Sequence, residues 1–401
     1  VAFVPSVGRT GLSGGALAEN LEVVVSFERM NNILEFNAAD RLISCDPGVT
    51  TKTLQEFAED KELFYPVDFA SSGSSHVGGN VATNAGGIKV VRYGMTRNWV
   101  QGMKVVTGEG HLLDLNRGLI KNATGFDFRH LFIGSEGTLG FIVEVTIGLI
   151  SPPKDPTVIL VGLNNMTDTI TVLEAFRNKL TLTAFEFFSE KALGHVIEEH
   201  ALQRPFDKIC EFYALIEFEN ATNVDMEAAH SVFERIFQSG LVIDGTISQS
   251  SSDTKKLWRF REDITSAISK YSPYKNDISV RISQVPSFLS ELDELVRRIY
   301  PSFETIFFGH IGDGNIHMNI LKPDGLTTKV FYKECEKVTE MVFGLVQKFG
   351  GSISAEHGIG VLKKPYLRYS RSKEEITYMK AVKRMFDPNN IMNPGKLMDL
   401  E

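Results

Sequence analysis

His310 and His317 flank the turn sequence Ile311-Gly312-Asp313-Gly314-Asn315-Ile316, and Glu356-His357 follow later within Ser354-Ala355-Glu356-His357-Gly358. A two-residue loop at Asp313-Gly314 would pair Gly312 with Asn315, Ile311 with Ile316 and His310 with His317. Residues opposed in this way have Cβ atoms ~5 Å apart on one sheet face, a separation from which two imidazoles reach one metal ion. Glu356 would complete a set of two histidines and one carboxylate with coordination positions left open. Such a set suits Lewis-acid chemistry, since structural zinc is usually closed by four protein ligands. The plainer alternative is a pair of histidines beside an ordinary hairpin.

A second group of residues suits anions. Trp258, Arg261 and Thr265 fall at helical spacing, which offers a guanidinium and a hydroxyl one turn apart on one face. Arg presents a planar donor fork that matches a carboxylate, and Lys275, shortly downstream, could meet a second one. Taken alone, the residues also fit a solvated basic helix face, with Arg259, Arg261 and Lys270 balancing acidic neighbours.

Three glycine-rich segments stand apart from both groups: Pro5-Ser6-Val7-Gly8-Arg9-Thr10-Gly11-Leu12-Ser13-Gly14-Gly15, the run from Gly73 to Gly87, and Gly134-Ser135-Glu136-Gly137-Thr138-Leu139-Gly140. None matches G-x-G-x-x-G or G-x-x-x-x-G-K-[ST]. Small residues at this density leave a groove lined by backbone, where a flat ring system and a pyrophosphate can lie against successive N–H groups. A large cofactor accounts for all three segments; the alternative is tight turns in a compact β-rich domain.

The elements that must carry these residues follow from periodicity. The chain has 401 residues, enough for two or three domains. Up to about Ile150 it is rich in glycine and short β runs at 42–45, 103–107 and 141–146, with one clear helix at 51–61. The three prolines of Ser151-Pro152-Pro153-Lys154-Asp155-Pro156 mark a boundary. Beyond it, strands such as 157–162 and 210–218 alternate with amphipathic helices such as 224–239 and 287–299, the pattern of an α+β domain with an antiparallel sheet. A long helix over 329–349 ends at Gly350-Gly351, and the segment 386–396 is too turn-rich to be helical.

Composition narrows the function. A formal charge of -8 argues against an extended nucleic-acid surface, and the apolar stretch 131–150 contains Glu136 and Glu144, so it is no membrane span. Three widely spaced cysteines without a CxxC fit a reducing compartment. The expected location is cytoplasmic, or the mitochondrial matrix in a eukaryote. The chain opens at Val1 inside a glycine-rich segment, from which a missing N-terminal portion is expected.

Together the segments 79–87, 131–140, 309–317 and 354–358 resemble, in order, those of the FAD-linked oxidases and dehydrogenases of the vanillyl-alcohol oxidase type, with a PCMH-type FAD-binding domain. Within that family they are most similar to the D-2-hydroxyglutarate dehydrogenases. The resemblance implies an α+β fold. A two-part FAD-binding domain would occupy 1–151, an inserted antiparallel-sheet substrate (cap) domain with the metal site 152–370, and a segment returning to the flavin 371–401. FAD would be held by Pro5, Gly8, Arg9, Thr10 and Gly11, by Gly73, Ser74, Gly78, Gly79, Asn80, Thr83, Asn84, Gly86 and Gly87, and by Gly134, Glu136, Gly137, Gly140, Ile142 and Asn393. Arg261, Thr265 and Lys275 would bind substrate carboxylates, with Asn319, two residues after His317 and so on the same strand face, assisting. His310, His317 and Glu356 would hold a divalent metal, zinc in similar proteins, and His357 would be the base.

The activity implied is oxidation of a D-2-hydroxy acid to the 2-oxo acid, with hydride passing to flavin and then to an electron-transfer flavoprotein, a quinone or a dye. Arg261 with Lys275 favours a dicarboxylate such as D-2-hydroxyglutarate over D-lactate, because a monocarboxylate would leave a buried cation unpaired. A homodimer is compatible with the resemblance. Two departures stand out: Gly8-Arg9-Thr10-Gly11 replaces the usual Gly-Gly-Asn-Thr-Gly, and Arg281 stands where proline is usual. The competing classes are a flavin-free metal hydrolase, which leaves the glycine segments without purpose, and a non-catalytic flavin-binding subunit of a glycolate-oxidase-type complex.

Overall fold

The architecture is that of a computed structural model, which describes residues 1–400. Residues 1–89, 93–152 and 356–401 form one compact unit, and residues 90–92 and 153–355 form another. The first unit is thus assembled from both ends of the chain, whereas the second is almost continuous.

In the first unit β1 (Phe3–Ser6) and β2 (Val23–Ser26) make a parallel pair. A five-stranded antiparallel sheet is built from β3 (Ile33–Asn37), β4 (Leu42–Cys45), β5 (Val100–Thr107), β6 (Leu112–Leu115) and β7 (Gly140–Gly148), in the order β3-β4-β7-β5-β6. The strand runs expected at 42–45, 103–107 and 141–146 all lie in it. Alternation explains why: Ile43 and Cys45 of β4 and Val145 and Ile147 of β7 enter one core, while their neighbours face outward.

The helix Thr51–Asp60 starts where the Thr50 side chain accepts the Thr53 N–H, and it lays Leu54 and Ala58 into the same core. Val77 and Val81 of the helix Val77–Thr83 join them. Each large side chain so buried stabilises the fold by roughly 1.5–3 kcal/mol. The helix Lys373–Phe386 carries a capping box between Ser372 and Glu375. After it the chain is irregular, as its turn residues predict, and docks beside β1: Phe3 N–H donates to Ile391 O (2.7 Å) and Asn393 N–H to Phe3 O (2.8 Å). Lys383 anchors this return, donating to Thr138 O (2.6 Å), to Met392 O (2.7 Å) and to the Asp387 carboxylate, all of it buried.

The second unit is a seven-stranded antiparallel sheet flanked by helices. Its strands are β8 (Pro156–Leu163), β9 (Leu182–Ser189), β10 (Phe212–Glu219), β11 (Asp244–Ile247), β12 (Tyr274–Ser279), β13 (Thr305–Gly309) and β14 (Asn315–Ile320), in the order β11-β8-β10-β9-β13-β14-β12. β9 is buried along its whole length, so both its faces are covered. The helix Ser251–Glu262 packs over β8, β9 and β10, and the helices Val285–Ile299 and Thr328–Lys348 pack on each other. The last of these ends at Gly350, in the left-handed region at φ +62°. Among the described residues no helix is long and apolar enough to cross a membrane.

Candidate active site

One face of the seven-stranded sheet carries polar groups where strands normally bury apolar ones. Antiparallel register places Lys275 opposite Asn319, Asp277 opposite His317, and Ser279 opposite Asn315 across β12 and β14. Across β13, Phe308 lies opposite His317 on one side and Phe188 of β9 on the other. Side chains alternate along a strand, so Lys275, Asp277, His317, Asn319, Phe308 and Glu186 share this face.

The hairpin differs from the two-residue turn expected. Thr305 pairs with Ile320 and Phe308 with His317, so His310 sits two residues beyond the partner of His317 and the connecting loop spans 310–314. The extra residues are held by their own bonds. Gly312 N–H donates to Phe185 O (3.1 Å), His310 O accepts from both Asp313 and Asn315 N–H, and the Asp313 carboxylate accepts the Asn315 N–H (3.1 Å). A tight Asp313-Gly314 turn would break these. The two imidazoles still meet, as diagonal neighbours, with ring centroids 5.2 Å apart and planes nearly perpendicular.

Each ring nitrogen Nδ1 faces a carboxylate. His310 Nδ1 is 2.8 Å from Glu186 Oε1, and His317 Nδ1 is 3.7 Å from Asp277 Oδ1. Asp277 is itself fixed by the Asn315 side-chain amide (2.9 Å). Imidazole–carboxylate pairing of this kind is how proteins orient metal-binding histidines, and Asp277 and His317 also present ligand-type atoms within 4.8 Å of one another.

Glu186 has a second partner: its Oε2 lies 2.8 Å from Arg261 Nε, aligned for charge attraction rather than for a linear hydrogen bond. Glu186 is 0% and Arg261 5% exposed. The Arg261 guanidinium also lies over the Phe308 ring, 4.9 Å from its centroid. Its terminal nitrogens make no hydrogen bond among the described residues and so remain available to an anion.

Thr265 is not on this buried face. The helix carrying Arg261 ends at Glu262, a short helix follows over Ile264–Ala267, and Thr265 is exposed. Lys275 has no anionic partner among the described residues. It opens to solvent, yet the protein around it withdraws water and lowers its ammonium pKa below the usual lysine range.

The second unit ends at Ala355, whose N–H approaches Asp277 O (3.4 Å) after a bridge between Ser279 and Ser352. Glu356 and His357 are the next residues along the chain, and His357 Nε2 lies 3.6 Å from Glu356 Oε1.

In the first unit the three glycine segments converge. Gly8 runs so close to Ser74 O that a Cβ there would strike the backbone, and a Cβ on Gly137 would lie 2.6 Å from Pro5. Gly134 and Glu136 N–H donate to Val81 and Ala82 O (3.0 and 2.8 Å), and this joins the 134–140 segment to the 73–87 segment. Space remains beside Gly11 and Gly73, and a cavity of about 300 Å³ is lined by Gly8, Arg9, Thr50, Ser74 and His76, among others.

Several side chains expected at the cofactor also hold this cradle together. Asn80 donates to Thr51 Oγ1 (2.7 Å), Thr83 to Gly79 O (3.0 Å), and Asn84 accepts the Arg97 N–H (3.0 Å). Arg9 pairs with Glu28. Buried Glu136 accepts the Ile359 and Gly360 N–H groups at 2.7 Å each. Burial raises its carboxyl pKa and those two bonds oppose the rise. Gly78, Gly86, Gly87, Gly140 and Ile142 are buried, while Thr10 is half-buried. Asn393 donates to Gly15 O (2.9 Å) and Glu136 O (2.7 Å).

Three buried polar atoms in this unit have no hydrogen-bond partner among the described residues: the Tyr65 hydroxyl, His76 Nδ1, whose ring burial holds below the usual imidazole pKa, and Asn393 Oδ1. Unpaired buried polar atoms cost stability; Tyr65 lies in the apolar core, whereas His76 and Asn393 stand beside the glycine segments, where they fit a bound polar cofactor such as FAD.

Sequence reasoning missed Glu186 and Asp277. The signal for Glu186 was a single acid inside the apolar strand Leu182–Ser189, and Glu217 within β10 repeats it, accepting from Trp258 Nε1 at 2.8 Å.

A backbone-lined groove in one unit and a polar sheet face in the other fit a flavin oxidoreductase, the class that the family matches assign. Residues 1–116 match the FAD binding domain family and residues 152–397 match the C-terminal domain of FAD linked oxidases; the chain belongs to the FAD-linked oxidases. It is 59% identical over 397 residues to a protein of Stutzerimonas stutzeri named D-2-hydroxyglutarate dehydrogenase, covering 99% of this chain and 86% of that one. A protein of the same name from Xanthomonas citri is 51% identical, with 100% and 84% covered, and the mitochondrial one of Danio rerio 35%, with 99% and 74% covered. Among solved structures, 4-ethylphenol oxidase from Gulosibacter chungangensis (TM-score 0.75, 17% identity, 99% of this chain and 84% of that one) and p-cresol methylhydroxylase (0.75, 14%, 100% and 85%) share the fold.

Proposed function

We propose that this FAD-linked enzyme oxidises D-2-hydroxyglutarate to 2-oxoglutarate. The observation that carries the reading is a pair of cations on one sheet face without a full set of anions: Arg261, with unfilled terminal nitrogens, and Lys275, with no partner among the described residues. A substrate with a carboxylate at each end satisfies both, whereas a monocarboxylate leaves one unmatched. The name borne by relatives at 59% and 51% identity supports the same substrate.

In this reading Arg261 holds one carboxylate and Lys275 the other, with Asn319, opposite Lys275 in the sheet, donating its amide. By resemblance, His310, His317 and Glu356 would hold a divalent metal such as zinc, and His357 would take the proton from the substrate hydroxyl. A metal held there would supply Lewis-acid activation of the substrate hydroxyl, and FAD in the glycine-lined groove would supply the two-electron acceptor. Imidazoles paired with Glu186 and Asp277, and a groove where His76 Nδ1 and Asn393 Oδ1 lack partners, fit these two groups.

The test is the flavin spectrum of the FAD-loaded protein, recorded without oxygen before and after D-2-hydroxyglutarate, L-2-hydroxyglutarate or D-lactate, with chelator-treated protein alongside. Bleaching by the D-dicarboxylate in preference to the others, lost on chelation and restored by zinc, is expected. Retained flavin colour with all three acids would overturn the reading.

A further inference from the structure

Glu186 belongs to none of the segments that point to the site, yet it is the group through which two of them meet. Its side chain is fully buried in the middle of β9, and each oxygen has its own partner 2.8 Å away: His310 Nδ1 on Oε1 and Arg261 Nε on Oε2. A carboxylate withdrawn from water in the centre of a sheet is costly unless both oxygens are matched, and here the two matches belong to different tasks.

We propose that Glu186 is a positioning residue that couples the metal-binding and substrate-binding halves of the site, fixing His310 through Nδ1 so that Nε2 is its ligand atom, and fixing Arg261 through Nε so that its terminal nitrogens meet the substrate carboxylate. The inference rests on the roles proposed above for His310 and Arg261. A neutral isostere cannot keep both geometries at once. In Glu186→Gln, an amide NH2 turned to His310 would demand a bare Nδ1, which moves the ring proton to Nε2, where it blocks coordination. Turned to Arg261, the NH2 would set donor against donor. One arm fails in either rotamer.

The experiment measures zinc dissociation constants by competition with a graded chelator on the FAD-containing holoenzyme. The same preparations give the Michaelis constant for D-2-hydroxyglutarate, flavin content and the unfolding midpoint. Glu186→Gln is expected to weaken zinc by roughly ten- to a hundredfold, as loss of an orienting carboxylate does elsewhere, and to raise the Michaelis constant as well. Arg261→Lys should raise the Michaelis constant and leave zinc affinity unchanged. A merely structural ion pair would lower the unfolding midpoint of Glu186→Gln without moving the zinc constant, and that result overturns the proposal. If the wild-type protein binds no zinc, the metal assignment itself fails and takes this inference with it; wild-type zinc affinity in Glu186→Gln sinks the inference alone. Nitrogen-15 spectra of histidine-labelled, zinc-loaded wild-type protein give a check that needs no Glu186 variant: His310 must show a protonated Nδ1 and a coordinated Nε2, and coordination through Nδ1 refutes the proposal.

Discussion

Lys275→Met removes a charge and keeps most of the apolar stem, so it isolates what the ammonium contributes. A hydrogen bond to a charged group contributes about 1.5–3 kcal/mol. Losing it should raise the Michaelis constant for D-2-hydroxyglutarate roughly ten- to a hundredfold, since each 1.4 kcal/mol is about tenfold, and leave D-lactate oxidation near its wild-type rate. The lowered pKa sharpens the test. As pH rises toward that lowered value the ammonium is lost, so wild-type affinity for the dicarboxylate should fall on the alkaline side while affinity for D-lactate shows no such limb. Stability moves the other way. The folded chain holds this proton less tightly than the unfolded chain, so the charge opposes folding below the folded pKa. That opposition is gone above the unfolded value near 10.4. Ligand-free Lys275→Met should therefore unfold at a slightly higher urea concentration than wild type at neutral pH, with the gain vanishing at high pH. Steady-state kinetics with both acids, at several pH values and with flavin content matched, make the measurement. Equal losses for the dicarboxylate and for D-lactate would refute the pairing of Lys275 with a second carboxylate.

Gly8→Ala places a Cβ against the Ser74 backbone, which cannot yield as a side chain would; about 1–3 kcal/mol of overpacking should appear as protein purified with depleted flavin, read from the ratio of visible to ultraviolet absorbance. Lys383→Met strands the Asp387 carboxylate at zero exposure and should destabilise the fold by about 3–5 kcal/mol in urea titrations, whereas a surface lysine such as Lys52 should show almost no change. Glu136→Ala leaves the Ile359 and Gly360 N–H groups without acceptors, at about 1–3 kcal/mol each. Because burial raises the Glu136 pKa, the folded chain binds its proton more tightly than the unfolded chain, so this carboxyl favours folding most at low pH. Wild type should accordingly lose ground to Glu136→Gln as pH rises through the raised pKa, and parallel pH–stability curves for the two would disprove that account.

Local pattern was enough for much of the architecture. The alternation around Ile43, Val145 and Ile147 gave strands, the proline cluster at 152–156 coincides with the passage from one unit to the other, and Gly350-Gly351 does end the long helix. The histidine hairpin was misjudged because Asp313-Gly314 is a strong turn signal in isolation, while the bond from Gly312 to Phe185 that widens the loop comes from a strand more than a hundred residues upstream in the sequence. The same distance hid Glu186. Nothing beside it in Ala184-Phe185-Glu186-Phe187-Phe188 hints at His310 or Arg261, because its partners are supplied by sheet register and by a helix laid across it. Thr265 was misplaced with respect to Arg261 because the helix ends at Glu262, where the run of helical spacing looks unbroken.

The split of the first unit between the two ends of the chain has a consequence for biosynthesis. β1 takes a second neighbour, beside β2, from residues 391–393, and Glu136 waits for the amides of 359 and 360, so the first unit stays unfinished until the last segment has left the ribosome. The second unit, nearly all of it continuous from 153 to 355, meets no such delay and can form while the tail is still being made. A nonsense codon late in the message would therefore yield a chain whose second unit is whole and whose first unit is open, a product for the cell's proteases rather than a slower enzyme.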